Sequence, residues 1–134
     1  MKKEKSCGTI IIDSNKRVLL VKQKLGWVGF PKGHMEQGET EMETARRETK
    51  EETNLDVIVD EKKRYTISYI TSTQIDKEVV YFRAKPISYS LLSQEAEIAE
   101  IMWVDIDEAK PYLSFDNLKQ LWQNVLDDFY KEQA

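Results

Sequence analysis

The chain has 134 residues, of which 40% are hydrophobic, and its 24 acidic residues outnumber its 20 basic ones to leave a formal net charge of -4. That balance argues against broad, non-specific binding to DNA or RNA, whose phosphates attract basic proteins. The length and apolar content predict one domain over residues 1–134. The single cysteine, Cys7, excludes an intramolecular disulfide and favours a cytoplasmic protein, and no apolar run approaches the ~18 residues of a membrane span.

The apolar pattern predicts strands, a helix, more strands and a final helix. Residues 7–23 form two apolar runs around an Asp-Ser-Asn turn, which predicts a β-hairpin. Trp27, in the glycine-rich loop that follows, and Trp103 are both expected to pack in the core. Further strands are predicted at residues 55–60, 64–70, 78–86 and 98–106, and a C-terminal amphipathic helix at residues 115–133. This order of elements is typical of an α/β or α+β domain.

A helix over residues 41–53 is the best-defined element of the sequence. Thr40 and Glu43 form a Thr-x-x-Glu capping box that predicts where the helix starts. Asn54 tolerates the left-handed conformation that commonly ends a helix, so it predicts where this helix stops.

Three glutamates crowd the second half of this helix. Glu48, Glu51 and Glu52 are three and four residues apart, which places their carboxylates on one face. Like charges at this spacing repel by a few tenths of a kcal/mol per pair. A hard divalent cation, above all Mg²⁺, takes oxygen ligands and would relieve that repulsion. The alternative is a solvated face on which neighbouring arginine and lysine side chains balance the glutamates.

The region around this helix resembles the signature of the Nudix hydrolases, G-x5-E-x7-R-E-U-x-E-E-x-G-U, in which U is apolar. Gly33, Glu39 and residues 47–55 match its spacing over 23 residues. Two positions depart from it, because Thr49 stands where an apolar residue is usual and Asn54 where glycine is usual. The resemblance implies an α/β/α sandwich, with a mixed sheet between helices and a loop-helix-loop catalytic motif.

The resemblance also implies roles for individual residues. Glu48, Glu51 and Glu52, with the backbone carbonyl of Gly33, would bind Mg²⁺ or Mn²⁺. Arg47 would pair with carboxylates and hold the catalytic helix in register. The implied chemistry is hydrolysis of a nucleoside diphosphate linked to another group, by a water molecule whose proton a carboxylate takes.

Members of the family add an acidic residue from outside the motif. Glu97 is the first candidate for this additional ligand, and Glu95 and Glu100 are the alternates, because they precede or begin a late strand. Family members differ in whether a motif glutamate or the distant one is the general base. Glu48 and Glu97 therefore both remain candidates for that role.

The stretch WVGFPKGHMEQGE also resembles the Pro-Lys-Gly-His-x-Glu-x-Gly-Glu run of asymmetrical diadenosine tetraphosphate hydrolases, a branch of the same family. That resemblance implies that Lys32 and His34 lie beside the polyphosphate. Residues 67–84 resemble the same branch, so Tyr69 and Tyr81 are candidates to line a base pocket and Lys77 to reach a phosphate. A ring stacked on a base contributes ~1–3 kcal/mol, although both tyrosines would equally suit core packing.

The implied substrate is diadenosine tetraphosphate, which would be cleaved into ATP and AMP. The motif alone also allows a nucleoside triphosphate, ADP-ribose, an RNA 5′ end or a diphosphoinositol phosphate. A silent module that only binds a nucleotide is a further alternative, against which the intact glutamates argue. The expected binding partner is a small nucleotide, and no binding to a membrane or to DNA is expected. The protein is expected to be a monomer or a homodimer.

Overall fold

Two β-sheets and two long helices make up the computed structural model, which describes residues 1–92 and 96–133. The strands are β1 Lys3–Ile11, β2 Arg17–Gln23, β3 Val28–Gly29, β4 Lys32–His34, β5 Val57–Ile70, β6 Asp76–Pro86 and β7 Ile98–Asp105. The helices are α1 Glu41–Thr53 and α2 Asp116–Gln133, and a short 3-10 helix spans Lys110–Tyr112. In the described part of the chain, no helix is both long enough and apolar enough to cross a membrane.

The larger sheet is mixed and contains β4, the strand on which Gly33 lies. Its strand order is β4-β1-β6-β5, with β1 parallel to β6 and the other pairs antiparallel. The smaller sheet is antiparallel, in the order β3-β2-β7. The expected α/β fold with a mixed sheet is confirmed.

The helices cover two apolar clusters whose residues alternate along the central strands, as the period of two in a strand requires. On one side Ile10, Val79 and Tyr81 pack with Trp122 and Val125 of α2. On the other side the cluster contains Cys7, Ile11, Val80, Phe82 and Ala45 of α1. The apolar spacing that predicted α2 is confirmed, since the helix buries the expected side chains, namely Leu118, Leu121, Trp122, Val125 and Phe129.

The ends of α1 are those that the sequence predicts. The Thr40 hydroxyl accepts a hydrogen bond from the Glu43 N–H (3.1 Å), and the Glu43 carboxylate accepts one from the Thr40 N–H (2.9 Å). Asn54 ends the helix at φ 69°, in the left-handed region, and its N–H donates to the Lys50 carbonyl. The capping box and the terminating asparagine are thus confirmed.

The predicted hairpin at residues 7–23 is wrong. β1 and β2 lie in different sheets, and a single antiparallel bridge, Ile12 to Val18, joins the chain around them. β6 pairs with β1 from Lys3 to Ile11, and β4 pairs with its other edge at Ser6–Gly8, so β1 takes its partners from these two strands rather than from β2. The strands predicted at 55–60 and 64–70 are likewise one strand, β5, interrupted by a bulge.

Candidate functional site

Arg47 is the centre of the polar network on the exposed face of α1. Its Nε donates to Glu39 (2.7 Å), and its Nη2 donates to the other Glu39 oxygen (3.0 Å) and to the His34 carbonyl (2.9 Å). Its Nη1 donates to Glu48 (2.8 Å) and to Glu51 (3.3 Å). The guanidinium beside Glu39 lowers the pKa of that carboxyl to about 2. Arg47 therefore connects the loop after β4 to the acidic face of the helix.

Glu48 packs against the backbone of β4. An added Cβ atom at Gly33 would lie 2.0 Å from the Glu48 Cδ and 2.1 Å from its Oε2, so only glycine leaves room for this carboxylate. Burial raises the pKa of Glu48, and the hydrogen bond from Arg47 partly opposes that shift. The arrangement places the Glu48 carboxylate directly beside the main chain of Gly33.

Glu52 links α1 to the start of β4. Its Oε1 accepts a hydrogen bond from the backbone N–H of Lys32 (3.1 Å). The Lys32 side chain is half-buried, and burial lowers its pKa, with the nearby Lys77 charge acting in the same direction and Glu52 opposing it. The ammonium group of Lys32 is therefore partly shielded from solvent and interacts with the charges of Lys77 and Glu52.

These oxygen donors match the chemistry of a hard divalent cation. Within residues 1–92 and 96–133, however, no three histidine, cysteine, aspartate or glutamate side chains are arranged to hold a metal ion. Arg47 holds Glu48 and Glu51, and the Lys32 N–H holds Glu52. The residue types therefore fit a divalent cation, but in this structure the carboxylates are oriented towards Arg47 and the Lys32 N–H. Rotation of the glutamate side chains would be enough to turn their oxygens towards an ion.

Glu97 lies apart from this network. It is exposed in the turn before β7, and its carbonyl accepts a hydrogen bond from the Lys24 N–H (2.7 Å) at the edge of the smaller sheet. Of the two alternates, Glu100 is exposed on β7 opposite Lys22, and Glu95 falls outside the described residues. No described contact joins Glu97 or Glu100 to the carboxylates of α1.

A cavity of about 710 Å³ opens beside Lys32. Tyr69 and Tyr81, the two predicted base-pocket residues, line it. Tyr81 is a buried wall residue at 1% exposure, whereas the ring of Tyr69 is 37% exposed. Both tyrosines thus face a space of the size that small-molecule ligands occupy.

Two further aromatic residues at the cavity were not predicted as site residues. Trp27, expected in the core, is 51% exposed, and Phe115, expected in the last helix, precedes α2 and is 45% exposed. Their rings meet edge to face with centroids 5.6 Å apart, and both line the cavity. Ligand pockets are lined largely by apolar and aromatic side chains, so this exposed pair is a candidate binding surface. The sequence did not predict this pair, because Trp27 follows Gly26 in a loop without apolar periodicity and its partner, Phe115, is distant along the chain.

Lys77 and His34 lie on the sheet beside the cavity rather than among its lining residues. The Lys77 Nζ is 3.2 Å from the His34 Nε2 and 3.9 Å from a Glu4 oxygen. Lys77 is opposite Tyr69 in the β5–β6 register and shares a strand face with Tyr81. Burial, with Lys77 adding to it, lowers the pKa of His34. The structure thus gathers the predicted phosphate contacts at one end of the mixed sheet.

Comparisons of sequence place the chain among known proteins. A model of the NUDIX domain matches residues 2–125. The asymmetrical bis(5′-nucleosyl)-tetraphosphatase of Rattus norvegicus is 36% identical over 99 residues, which cover 69% of this chain and 65% of the rat protein. The putative mutator protein MutT4 of Mycobacterium tuberculosis is 31% identical over 100 residues, which cover 73% of this chain and 40% of that protein. The matches thus span less than two thirds of the length of these relatives.

Comparisons of structure agree with the sequence. An Ap4A hydrolase of C. elegans, solved as a binary complex, superimposes with a TM-score of 0.85 at 24% identity and covers 96% of this chain and 98% of its own. A NUDIX hydrolase from Nitrosomonas europaea gives a TM-score of 0.80 at 23% identity, over 98% of this chain and 74% of its own. At these identities the likeness establishes the shared fold.

Proposed function

The chain belongs to the Nudix family, and from that membership and the geometry of its site we propose that it is a pyrophosphohydrolase of nucleoside polyphosphates. Its proposed substrate is diadenosine tetraphosphate, which it would cleave into ATP and AMP. The observation that carries the proposal is the junction at Lys32, whose backbone binds an α1 carboxylate while its side chain lines the aromatic cavity. The rat relative is named as an asymmetrical bis(5′-nucleosyl)-tetraphosphatase, which supports the choice of substrate.

The acidic face of α1 is the proposed site of a divalent cation, Mg²⁺ or Mn²⁺. Glu48, Glu51 and Glu52 would supply carboxylate oxygens, and Gly33 would supply its backbone carbonyl. When bound, such an ion neutralises phosphate charge and makes water a better nucleophile. Arg47 already holds two of the carboxylates on this face, so it would keep their side chains orientated while the ion takes the remaining lone pairs.

A carboxylate must accept the proton of the attacking water, and Glu48 is the stronger of the two candidates. Its side chain lies in α1, against Gly33 and within the same network as the proposed ligands. Glu97 lies at the edge of the other sheet. The reaction forms a bond from the water oxygen to phosphorus and breaks one P–O bond of the phosphoanhydride bridge, so that either ATP or AMP is the leaving group.

The basic residues at the end of the mixed sheet are the proposed phosphate contacts. Lys32 and Lys77 each provide an ammonium group that donates three hydrogen bonds, and His34 provides ring nitrogens. The Lys77 Nζ lies 3.2 Å from the His34 Nε2, and burial, with the Lys77 charge adding to it, lowers the pKa of Lys32. The negative charge of a tetraphosphate chain would favour the charged form of both lysines.

The aromatic residues of the cavity are the proposed nucleoside contacts. Trp27, Phe115 and Tyr69 are at least one-third exposed and line the same space. Stacking on such a ring contributes ~1–3 kcal/mol per base, which corresponds to roughly 5- to 150-fold in affinity. We expect Trp27→Ala to raise KM within that range with little change in kcat, and Tyr112→Ala, an exposed ring away from the cavity, to leave KM unchanged.

The metal-dependent reaction is tested by a matched pair of substitutions on α1. Glu52→Gln removes one proposed ligand, while Glu43→Gln removes an exposed charge from the same helix and keeps the capping box, in which glutamine also serves. Initial rates are measured with Mg²⁺ on diadenosine tetraphosphate, a set of nucleoside triphosphates, ADP-ribose and 5′-triphosphorylated RNA. We expect roughly a 100-fold or larger loss for Glu52→Gln alone.

Each other outcome of this panel has a defined meaning. Equal rates for Glu52→Gln and the unmodified protein would refute the assignment of the acidic face. Faster turnover of another substrate would keep the hydrolase and overturn diadenosine tetraphosphate. Binding of nucleotides without metal-dependent turnover of any substrate would identify a silent nucleotide-binding module.

A further inference from the structure

One of the two departures from the Nudix signature, Thr49, has a specific partner in the structure. Its hydroxyl lies 2.7 Å from the hydroxyl of Thr9 on β1, and both residues are 0% exposed. The Thr49 hydroxyl also donates to the Ala45 carbonyl of its own helix (2.7 Å). Because Thr49 has a single hydroxyl proton, Thr9 is the donor and Thr49 the acceptor between the helix and the strand.

Within the described ranges, the Thr9–Thr49 contact is the one hydrogen bond between α1 and β1 in which both side chains are buried. The other buried threonine near the end of the helix, Thr53, binds the Thr49 carbonyl and the Leu55 N–H, both within its own segment. The buried residues of α1 are Thr44, Ala45, Thr49 and Thr53. Three of them are threonines and the fourth is small, so large apolar side chains do not set the distance between this helix and the sheet.

A hydroxyl pair brings two backbones closer than an apolar pair does. The two oxygens are 2.7 Å apart, whereas carbon atoms in contact lie about 3.5–4.0 Å apart. Two apolar side chains at these positions would therefore hold α1 about 1 Å farther from β1. β4 is hydrogen-bonded to β1, with Gly33 opposite Cys7, so the distance from α1 to β1 also sets the distance from α1 to β4.

We infer that Thr9 and Thr49 are a positioning pair, whose short hydrogen bond sets the height of the catalytic helix above the sheet. The inference rests on the proposed function, in which the α1 carboxylates act beside β4. At the height set by this pair, the Glu48 carboxylate reaches Gly33 and Glu52 binds the Lys32 N–H (3.1 Å).

The test is a double-mutant cycle in the full chain. Thr49→Val leaves the Thr9 hydroxyl buried with no acceptor, so it should lower Tm more than Thr9→Val, after which Thr49 keeps its bond to Ala45. The double variant, T9V/T49V, removes both hydroxyls and should recover most of the lost Tm. Its kcat on diadenosine tetraphosphate should nevertheless stay roughly tenfold or more below that of the unmodified protein, because α1 would lie too far from β1 and β4.

Two controls separate positioning from simple stabilisation. Thr53→Val removes an equally buried threonine hydroxyl from the same helix but none from the contact with β1, and it should lower Tm without a comparable loss of kcat. T9S/T49S restores both hydroxyls and should restore kcat. A crystal structure of T9V/T49V should show α1 displaced from β1 by about 1 Å, a readout that does not depend on activity.

Full kcat in T9V/T49V, or an unmoved helix in its crystal structure, would overturn the inference. Glu52→Gln is assayed in parallel to test the proposed function separately. If Glu52→Gln keeps full turnover while α1 moves in T9V/T49V, the proposed catalytic role of the helix fails and the spacing role of the threonine pair stands.

Discussion

Replacing Gly33 by alanine should separate catalysis from stability. The backbone of Gly33 lies outside the left-handed region, but the new Cβ would lie 2.0 Å from the Glu48 Cδ. Restoring an ordinary contact of about 3.5–4.0 Å requires the carboxyl group to move by roughly 1.5–2 Å. A glutamate side chain can rotate that far at low cost, so we expect a loss of less than about 1 kcal/mol in the free energy of unfolding. Misplacing a catalytic carboxylate by this distance should lower kcat by roughly 100-fold.

Gly8→Ala is the matched contrast for this substitution. Its added Cβ would also lie 2.0 Å from a neighbour, but that neighbour is the backbone carbonyl oxygen of Pro31, and Lys32 Cα is 2.9 Å away. Neither backbone atom can rotate aside, so the strands must separate at a cost of about 3 kcal/mol or more. Urea titrations and steady-state kinetics on both variants measure the two effects. If Gly33→Ala kept kcat within about threefold, the placement of Glu48 against Gly33 would not be needed for catalysis.

Three further outcomes follow from local contacts. Arg64 and Lys5 bind the Glu41 carboxylate and lower its pKa from 4.5 to about 2, so Glu41→Gln should cost about 1–2 kcal/mol at pH 7. Because the folded pKa is the lower one, that difference should shrink between pH 5 and pH 2 in urea titrations, and a constant difference would contradict the ion pairing. Asn54→Ala should cost about 1 kcal/mol at φ 69° and Asn54→Gly less, as thermal unfolding can compare. Cys7 is fully buried with its pKa raised to about 11, so a thiol reagent should label it only in denaturant.

Local signals in the sequence predicted α1 to the residue. The capping box at Thr40 and the left-handed Asn54 act through hydrogen bonds within a few residues, so no knowledge of the tertiary fold was needed. The same holds for the acidic face, because helical spacing alone places Glu48, Glu51 and Glu52 together. The family resemblance implied that Arg47 pairs with carboxylates, and the structure adds which ones, namely Glu39, Glu48 and Glu51.

Errors arose where long-range pairing decides the structure. The runs around Asp13 suggested a hairpin, but β6, some seventy residues away in sequence, takes the edge of β1 that a hairpin would use. Trp27 appeared apolar enough for the core, yet its partner Phe115 comes from the far end of the chain, and the two meet at the cavity mouth. Neither contact leaves a local pattern in the sequence.

The identity of the products tests the central claim most directly. The full chain is incubated with diadenosine tetraphosphate and Mg²⁺, with a parallel sample containing EDTA, and the nucleotides are separated by chromatography. The account predicts ATP and AMP in equal amounts in the first sample and unchanged substrate in the second. ADP as the sole product, or the same turnover in EDTA, would contradict it.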